Sequence, residues 1–112
     1  MRRLAATASL AAVVALLGVP GAGFADERTV ALAVEERGFA PGEVDVPAGA
    51  RVRLEVTNRT GAAIEFESFE LNRERVVQPG HTVNVYVSDL EPGRYEFFDD
   101  FHQERRGALV AK

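Results

Sequence analysis

Short runs in which apolar and polar residues alternate with a period of two dominate this chain, and no run beyond residue 25 keeps the spacing of a helix. Val52, Leu54 and Val56, for example, alternate with charged residues. A period of two places successive side chains on opposite faces of a pleated strand. Turn-favouring proline and glycine residues separate the runs. The pattern predicts an all-β domain.

Seven short strands are predicted between these turns. They cover residues 29–34, 43–46, 51–56, 63–71, 83–88, 95–98 and 108–111. So many short strands in a small domain indicate a Greek-key β-sandwich of two sheets. The turns at 47–49 and 78–80 lead into strands of the same pattern, which predicts two equivalent corners.

The first 25 residues have the layout of a cleaved secretory signal peptide. Arg2 and Arg3 precede an apolar run at 4–19, and small residues lead up to Ala25. An uncleaved membrane anchor is the alternative, but the apolar run is shorter than the ~20 residues of a typical span. We therefore expect a signal peptide at 1–25 and one exported domain at 26–112.

Charge and sulfur content restrict the partners and the chemistry. Loss of Arg2 and Arg3 with the signal peptide changes the net charge from −4 to −6, which argues against nucleic acid and anionic lipid as partners. The chain has no cysteine, and its single methionine is Met1. A type 1 copper site needs a cysteine thiolate, so the sequence excludes electron transfer by type 1 copper.

Two carboxylates and a histidine follow the strand predicted at 95–98. Asp99 and Asp100 stand at the point where this strand reaches the rim of the sandwich, and His102 lies three residues after Asp99. Loops held by a rigid sheet often carry functional sites. The alternative is a solvated acidic turn with a surface histidine.

Two further carboxylates lie on the strand predicted at 63–71. Glu65 and Glu67 share one face of that strand, and Ile64 and Phe66 share the other. If the glutamates faced the core they would need a cation, because unpaired buried carboxylates are costly. If Ile64 and Phe66 face the core, both glutamates are exposed, and the strand pattern slightly favours this arrangement.

The available donor types narrow the choice of metal. Carboxylates with one or two imidazoles suit iron(II), manganese or zinc and can also hold copper(II), whereas magnesium and calcium rarely use histidine. His81, in the turn before the fifth predicted strand, is either a further ligand or a polar turn residue. Four arginines near these segments are expected on the surface, namely Arg73, Arg75, Arg105 and Arg106.

Three segments resemble the cupredoxin-like proteins of bacterial ferrous-iron uptake systems. They are Val46-Pro47-Ala48-Gly49 with its following strand, the glutamate strand at 65–74, and the segment 90–102. The resemblance is to the small FtrB-like periplasmic subunit that accompanies an iron permease. It implies a cupredoxin-like sandwich, a periplasmic location, and an inner-membrane iron permease with its associated uptake subunits as partners.

The resemblance also implies a ligand set. Copper-binding cupredoxins carry Cys-x-x-His and a later methionine in the loop after the penultimate strand. Here Asp99 stands in place of the cysteine, His102 keeps the histidine, and the methionine is missing. Glu65 is similar in position to the upstream histidine ligand, with Glu67 as a second candidate on the same face. The implied metal ligands are Glu65, Asp99 and His102, with Asp100 and Glu67 as further ligands.

The expected function follows from this ligand set. Carboxylates stabilise iron(III) more than iron(II), so the site is expected to bind ferrous iron, promote its oxidation and deliver it to the permease. The first alternative is a non-redox periplasmic chaperone for iron or copper. The second is a structural or adhesive sandwich module whose acidic rim binds no metal.

Overall fold

The structure is a computed structural model that describes residues 27–112 as nine β-strands, so the predicted signal peptide lies outside the described residues. The strands are β1 (Glu27–Glu35), β2 (Gly38–Ala40), β3 (Glu43–Val46), β4 (Arg51–Asn58), β5 (Ile64–Ser68), β6 (Arg73–Val77), β7 (Thr82–Ser88), β8 (Gly93–Asp99) and β9 (His102–Ala111). No helix within residues 27–112 is long and apolar enough to cross a membrane.

The strands form two sheets that pack face to face. The four-stranded sheet has the order β2-β1-β4-β7, and the five-stranded sheet has the order β3-β9-β8-β5-β6. β1 pairs with β4, and β3 with β9, in parallel, while the other pairs are antiparallel. The predicted all-β sandwich is confirmed.

Alternating residues of both sheets fill the core. Val52, Leu54 and Val56 of β4 are buried, while the intervening charged residues are partly exposed. Three aromatic rings close one end of the core. Phe97 lies 4.9 Å from Phe39 and 5.2 Å from Phe66 between ring centroids. Edge-to-face and tilted packing of this kind adds to the stabilisation that burial supplies.

The structure contains two strands that the alternation did not predict. β2 has three residues, which is too short for a period of two to appear. β6 has polar residues on both faces, because Arg73 and Arg75 occupy its core side at the edge of the sheet. The last strand also begins at His102 instead of at 108, since its first half is mostly exposed and polar.

Two similar turns lead into β4 and β7, as predicted. Ala50 N donates to Pro47 O and His81 N donates to Gln78 O. The third residue of each turn is a glycine with positive φ, 81° at Gly49 and 79° at Gly80. This geometry favours glycine because other residues rarely adopt it. The two strands that follow pair with each other in the four-stranded sheet.

Gly107 provides a test of the core packing. A Cβ atom at this position would lie 2.5 Å from Cε1 of Phe97, whose ring is fully buried. We expect Gly107→Ala to lower the free energy of unfolding by about 1–3 kcal/mol, because the ring has no room to move away. Denaturant unfolding measures this change.

Gly61→Ala is the matched control, since a Cβ atom there would meet nothing within 4 Å. Equal stability losses in the two variants would contradict the packing argument.

Candidate metal-binding site

β5 presents Glu65 and Glu67 on the outer face of the five-stranded sheet. Ile64 and Phe66 are fully buried, and the two glutamates between and after them are partly exposed. The apolar residues thus fix which face of the strand meets solvent. The exposed arrangement, which the sequence pattern slightly favoured, is the one that forms.

The end of β8 separates the two adjacent aspartates. The side chain of Asp99 points toward the core and is fully buried, whereas Asp100 is partly exposed. The pairing of β8 with β9 is irregular between Phe98 and Asp99. Asp100 N donates to Glu65 O over 2.8 Å, which ties the turn to β5. Two neighbouring carboxylates therefore lie in different environments.

Three carboxylates converge on the outer face, and we call them the outer acidic cluster. Glu65, Glu67 and Asp100 each offer an oxygen, and these oxygens lie within 4.8 Å of one another. Oxygens on opposite sides of a six-coordinate divalent ion are about 4.2 Å apart when each bond is ~2.1 Å. Small side-chain movements would therefore bring all three oxygens to one cation.

A fourth carboxylate borders the cluster. Glu74 of β6 lies directly opposite Glu67, and its carboxylate contributes to the raised pKa values of both Glu65 and Glu67. Burial raises the pKa of Glu65 to about 7, with smaller contributions from Glu74, Glu67 and Asp100. Burial also raises the pKa of Glu67, followed by the charges of Glu74 and Asp100. These carboxyl groups hold protons more tightly than isolated glutamates because burial disfavours their charged form and neighbouring negative charges add to that effect.

Both carboxylate oxygens of Asp99 accept hydrogen bonds from within the protein. Its Oδ1 accepts hydrogen bonds from Glu65 N and Phe101 N, both at 3.0 Å. Its Oδ2 accepts one from Nη1 of Arg105, also at 3.0 Å. The carboxylate that the resemblance put in place of a cysteine ligand therefore holds β5, the β8–β9 turn and β9 together.

Arg105 is buried, with 4% of its surface exposed, so its expected position on the surface is wrong. Besides its bond to Asp99, its Nη2 donates to Oε1 of Glu36 and its Nε to the Glu36 carbonyl, at 3.0 and 3.2 Å. An arginine can lie inside the sandwich because its charge is paired and its donors are used. Arg106 is exposed as expected, with Cζ 4.9 Å from the centroid of Phe98.

The two histidines lie apart from the outer acidic cluster. His102 is exposed, and its Nδ1 lies 3.8 Å from Oδ2 of Asp99. It borders a small pocket together with Arg105, Glu36 and Thr60. His81 is exposed in its turn, where its backbone N–H bonds Gln78.

The predicted ligands thus divide into two groups. Glu65, Glu67 and Asp100 come together, while Asp99 and His102 lie beside Arg105. Sequence reasoning missed the roles of Arg105 and Glu74. A signal for Arg105 existed, because it lies four residues before Leu109 of the predicted last strand, and a longer strand would place both on one face. No comparable signal pointed to Glu74, whose position depends on the unpredicted strand β6.

The two aspartates should respond differently to the same substitution. We expect Asp99→Asn to lower the free energy of unfolding by about 3–5 kcal/mol, because it removes the only buried carboxylate that pairs with Arg105 within residues 27–112 and leaves the exposed carboxylate of Glu36. Asp100→Asn should change stability by less than about 0.5 kcal/mol, because within residues 27–112 its side chain bonds only exposed Gln103. Thermal and denaturant unfolding compare the pair, and similar losses in both would contradict the assignment.

The raised pKa of Glu65 predicts a dependence of stability on pH. The carboxyl group has a pKa of about 7 in the folded protein against 4.5 for an unperturbed glutamate. Between these values the folded state binds more protons, so raising the pH lowers the stability. We expect Glu65→Gln to be less sensitive than the wild type to a change from about pH 5 to about pH 8. Equal pH dependence in the two proteins, measured by unfolding, would contradict this.

Comparison with known proteins supports the same fold. A family model described as a cupredoxin-like domain matches residues 7–111. An uncharacterized protein of Rickettsia prowazekii (strain Madrid E) is 39% identical over 81 residues, or 72% of this chain. The chain spans 65% of the length of that curated relative.

Solved structures of low sequence identity share the architecture. Auracyanin A, a "blue" copper protein from the green thermophilic photosynthetic bacterium Chloroflexus aurantiacus, superposes with a TM-score of 0.66 at 16% identity, covering 77% of this chain and 99% of that one. The metal-binding domain of the Cu(I)-exporting ATPase CopA of Streptococcus pneumoniae D39 gives 0.66 at 14% identity, covering 75% of this chain and 84% of that one. At these identities the likeness shows the fold alone.

The donor set does not fit the type 1 copper centre for which blue copper proteins are known. Such a centre needs a cysteine thiolate, and this chain has no cysteine. At the end of β8 the buried carboxylate of Asp99 instead holds the guanidinium of Arg105. With the family model matching most of the chain and the two-sheet architecture in agreement, the protein belongs to the cupredoxin-like domain family.

Proposed function

We propose that this protein is a periplasmic iron-binding protein that takes up ferrous iron at Glu65, Glu67 and Asp100. In this proposal it promotes oxidation to ferric iron and delivers the ion to an inner-membrane iron permease with its associated uptake subunits. The observation that carries the proposal is the convergence of three carboxylates on one face, with oxygens within 4.8 Å of one another.

The electrostatics of the outer acidic cluster support a cation as its ligand. None of the salt bridges within residues 27–112 involves these three carboxylates or Glu74. Like charges held this close repel one another, and the raised pKa values of Glu65 and Glu67 express that repulsion together with burial. A bound divalent or trivalent ion would relieve it.

Oxygen donors favour hard ions, and among the oxidation states of iron they favour iron(III). A more highly charged ion gains more Coulomb energy from the same carboxylates. Binding at this cluster would therefore lower the reduction potential of iron and promote loss of an electron from iron(II). Dioxygen is the proposed electron acceptor, and it takes up protons from solvent as it is reduced.

A non-redox metal carrier is the second candidate, and the composition of the cluster favours it. The three converging donors are all carboxylates, and His102 lies elsewhere beside Asp99. Sets of oxygen ligands also suit manganese and calcium, which bind without a change in oxidation state. Copper(II) is a weaker candidate for the same reason, because it prefers imidazole donors.

The proposal includes the permease and the periplasmic location because three segments of the sequence resemble FtrB-like proteins. The periplasmic location also depends on the signal peptide predicted at 1–25 from its two arginines and apolar run. A carrier that handed ions to a membrane protein would need an exposed site, and the cluster lies on a face that no other strand of the described domain covers.

Anaerobic titration with iron(II), followed by admission of oxygen, tests the function. We expect residues 26–112 to bind iron(II) saturably and to oxidise it faster than buffer does. Glu67→Gln and Asp100→Asn should each weaken binding by at least about tenfold, because each removes one of three charged ligands. Absorbance of bound iron(III) and oxygen consumption report the two steps.

Glu91→Gln is the matched control, because it removes one negative charge from an exposed loop. Saturable binding without faster oxidation would support the carrier instead. Tighter binding of manganese or calcium than of iron would reject iron as the cargo, and absence of binding by any of these ions would reject the site.

A further inference from the structure

A crevice runs along the side of the sandwich where β6 and β7, the edge strands of the two sheets, lie next to each other. It consists of two adjoining pockets of about 330 Å³ each, which share Arg73 and Tyr86. The first pocket continues to Glu27 and Arg51, and the second to Arg75 and Asn84. The outer acidic cluster lies next to β6, on the outer face of the five-stranded sheet.

Backbone carbonyls of β7 hold two arginines of β6 across this crevice. Nε of Arg73 donates to Tyr86 O over 2.9 Å, and Nη1 of Arg75 donates to Asn84 O over 3.0 Å. Nη1 of Arg73 also donates to the carbonyls of Leu71 and Asn72. Each guanidinium group is therefore held at a defined point along the edge of the sandwich.

These arginines lack carboxylate partners within residues 27–112. Neither Arg73 nor Arg75 forms a salt bridge there, although the domain is acidic, and the same holds for Arg51. A guanidinium group carries five N–H donors, so the bonds to carbonyls leave donors unused on both Arg73 and Arg75. The arginines satisfy backbone carbonyls at the exposed edge of β7, which explains these hydrogen bonds. Their positive charges still have no carboxylate to balance them within residues 27–112.

Two acidic residues also border the crevice, and neither neutralises these arginines. Glu74 stands between Arg73 and Arg75 on the opposite face of β6, opposite Glu67, and forms no salt bridge with either arginine. Glu27 lies at the far end beside Arg51, on the strand that pairs with β4. The middle of the crevice is therefore positively charged.

The spacing of the two guanidinium groups matches that of an extended chain. Arg73 and Arg75 are two residues apart on a strand, and the carbonyls that hold them, Asn84 and Tyr86, are also two residues apart. Alternate residues of a strand lie about 6.8 Å apart. Alternate side chains of an extended peptide have the same separation, so acidic residues at every second position would meet both arginines.

We propose that the β6–β7 crevice docks an extended acidic segment of a partner protein, with carboxylates at alternate positions paired to Arg73 and Arg75. Within the described domain, Arg75 keeps Nε and Nη2 free and can bind a carboxylate through two parallel hydrogen bonds, whereas Arg73 offers only Nη2. Arg51 extends the positive charge for a longer segment. This surface is separate from the outer acidic cluster, and docking there does not require a metal.

Fluorescence anisotropy with labelled synthetic peptides tests the proposal on metal-free protein. We expect a short peptide that alternates glutamate and threonine to bind more tightly than a peptide of the same composition with its glutamates in adjacent pairs. Arg73→Gln and Arg75→Gln should each weaken binding about fivefold, which corresponds to about 1 kcal/mol for a partly exposed pair. Unfolding measurements show whether each variant is folded.

Arg59→Gln is the control, because it removes the same charge from an exposed arginine outside the crevice, where it pairs with Glu35. It should bind the alternating peptide as well as the wild type does. Equal affinity for both peptides, equal loss in the control, or equally tight binding of polyphosphate would show general attraction of anions and overturn the proposal. Absence of binding would overturn it as well. Because Arg75 forms a single side-chain hydrogen bond within the described domain, Arg75→Gln keeps the test valid if Arg73→Gln fails to fold.

Discussion

The buried ion pair between Asp99 and Arg105 is the interaction on which the geometry of the candidate site depends. Asp99 accepts hydrogen bonds from β5 and from the β8–β9 turn, and Arg105 joins β9 to the loop after β1 through Glu36. A buried charge without its partner is costly, so these segments are held in one arrangement. Because Asp99 accepts from Glu65 N and Asp100 N donates to Glu65 O, the same contacts place two of the three clustered carboxylates next to each other.

Most of the fold could be predicted from local patterns in the sequence, namely alternating apolar residues and glycine turns. Alternation in β4 and β7, together with glycine turns before both strands, identified strands that pair in the structure. β6 escaped prediction because its inward positions hold Arg73 and Arg75, which reach the backbone of the other sheet instead of entering the core. Tertiary hydrogen bonds of this kind hold a strand at the edge of a sheet. Its sequence then need not alternate between apolar and polar residues, so the pattern does not reveal the strand.

The sequence was enough to name the residues near the site, but it did not show which of them come together. The five proposed ligands all lie near the junction of β5 and β8, yet Asp99 and Asp100 differ by one residue and therefore point to opposite faces. Spacing alone made Asp99 and His102 the natural pair. The deciding factor was Arg105, whose charge draws Asp99 inward and leaves Asp100 to face Glu65. A contact between residues on two strands is not visible in the spacing of either.

β6 separates two surfaces of opposite charge, because its side chains alternate between them. Glu74 extends the outer acidic cluster, while Arg73 and Arg75 line the crevice beside β7. The positive groups lie at the edge of the sandwich, and each is fixed to β7, so they do not fold over to neutralise the carboxylates. A metal ion and an acidic partner would therefore approach different surfaces of the domain without competing for the same groups. Charge on the partner would be attracted by the arginines and repelled by the empty cluster, and a bound cation would reduce that repulsion. Binding of a cation at the outer acidic cluster would therefore strengthen docking of the acidic partner at the crevice.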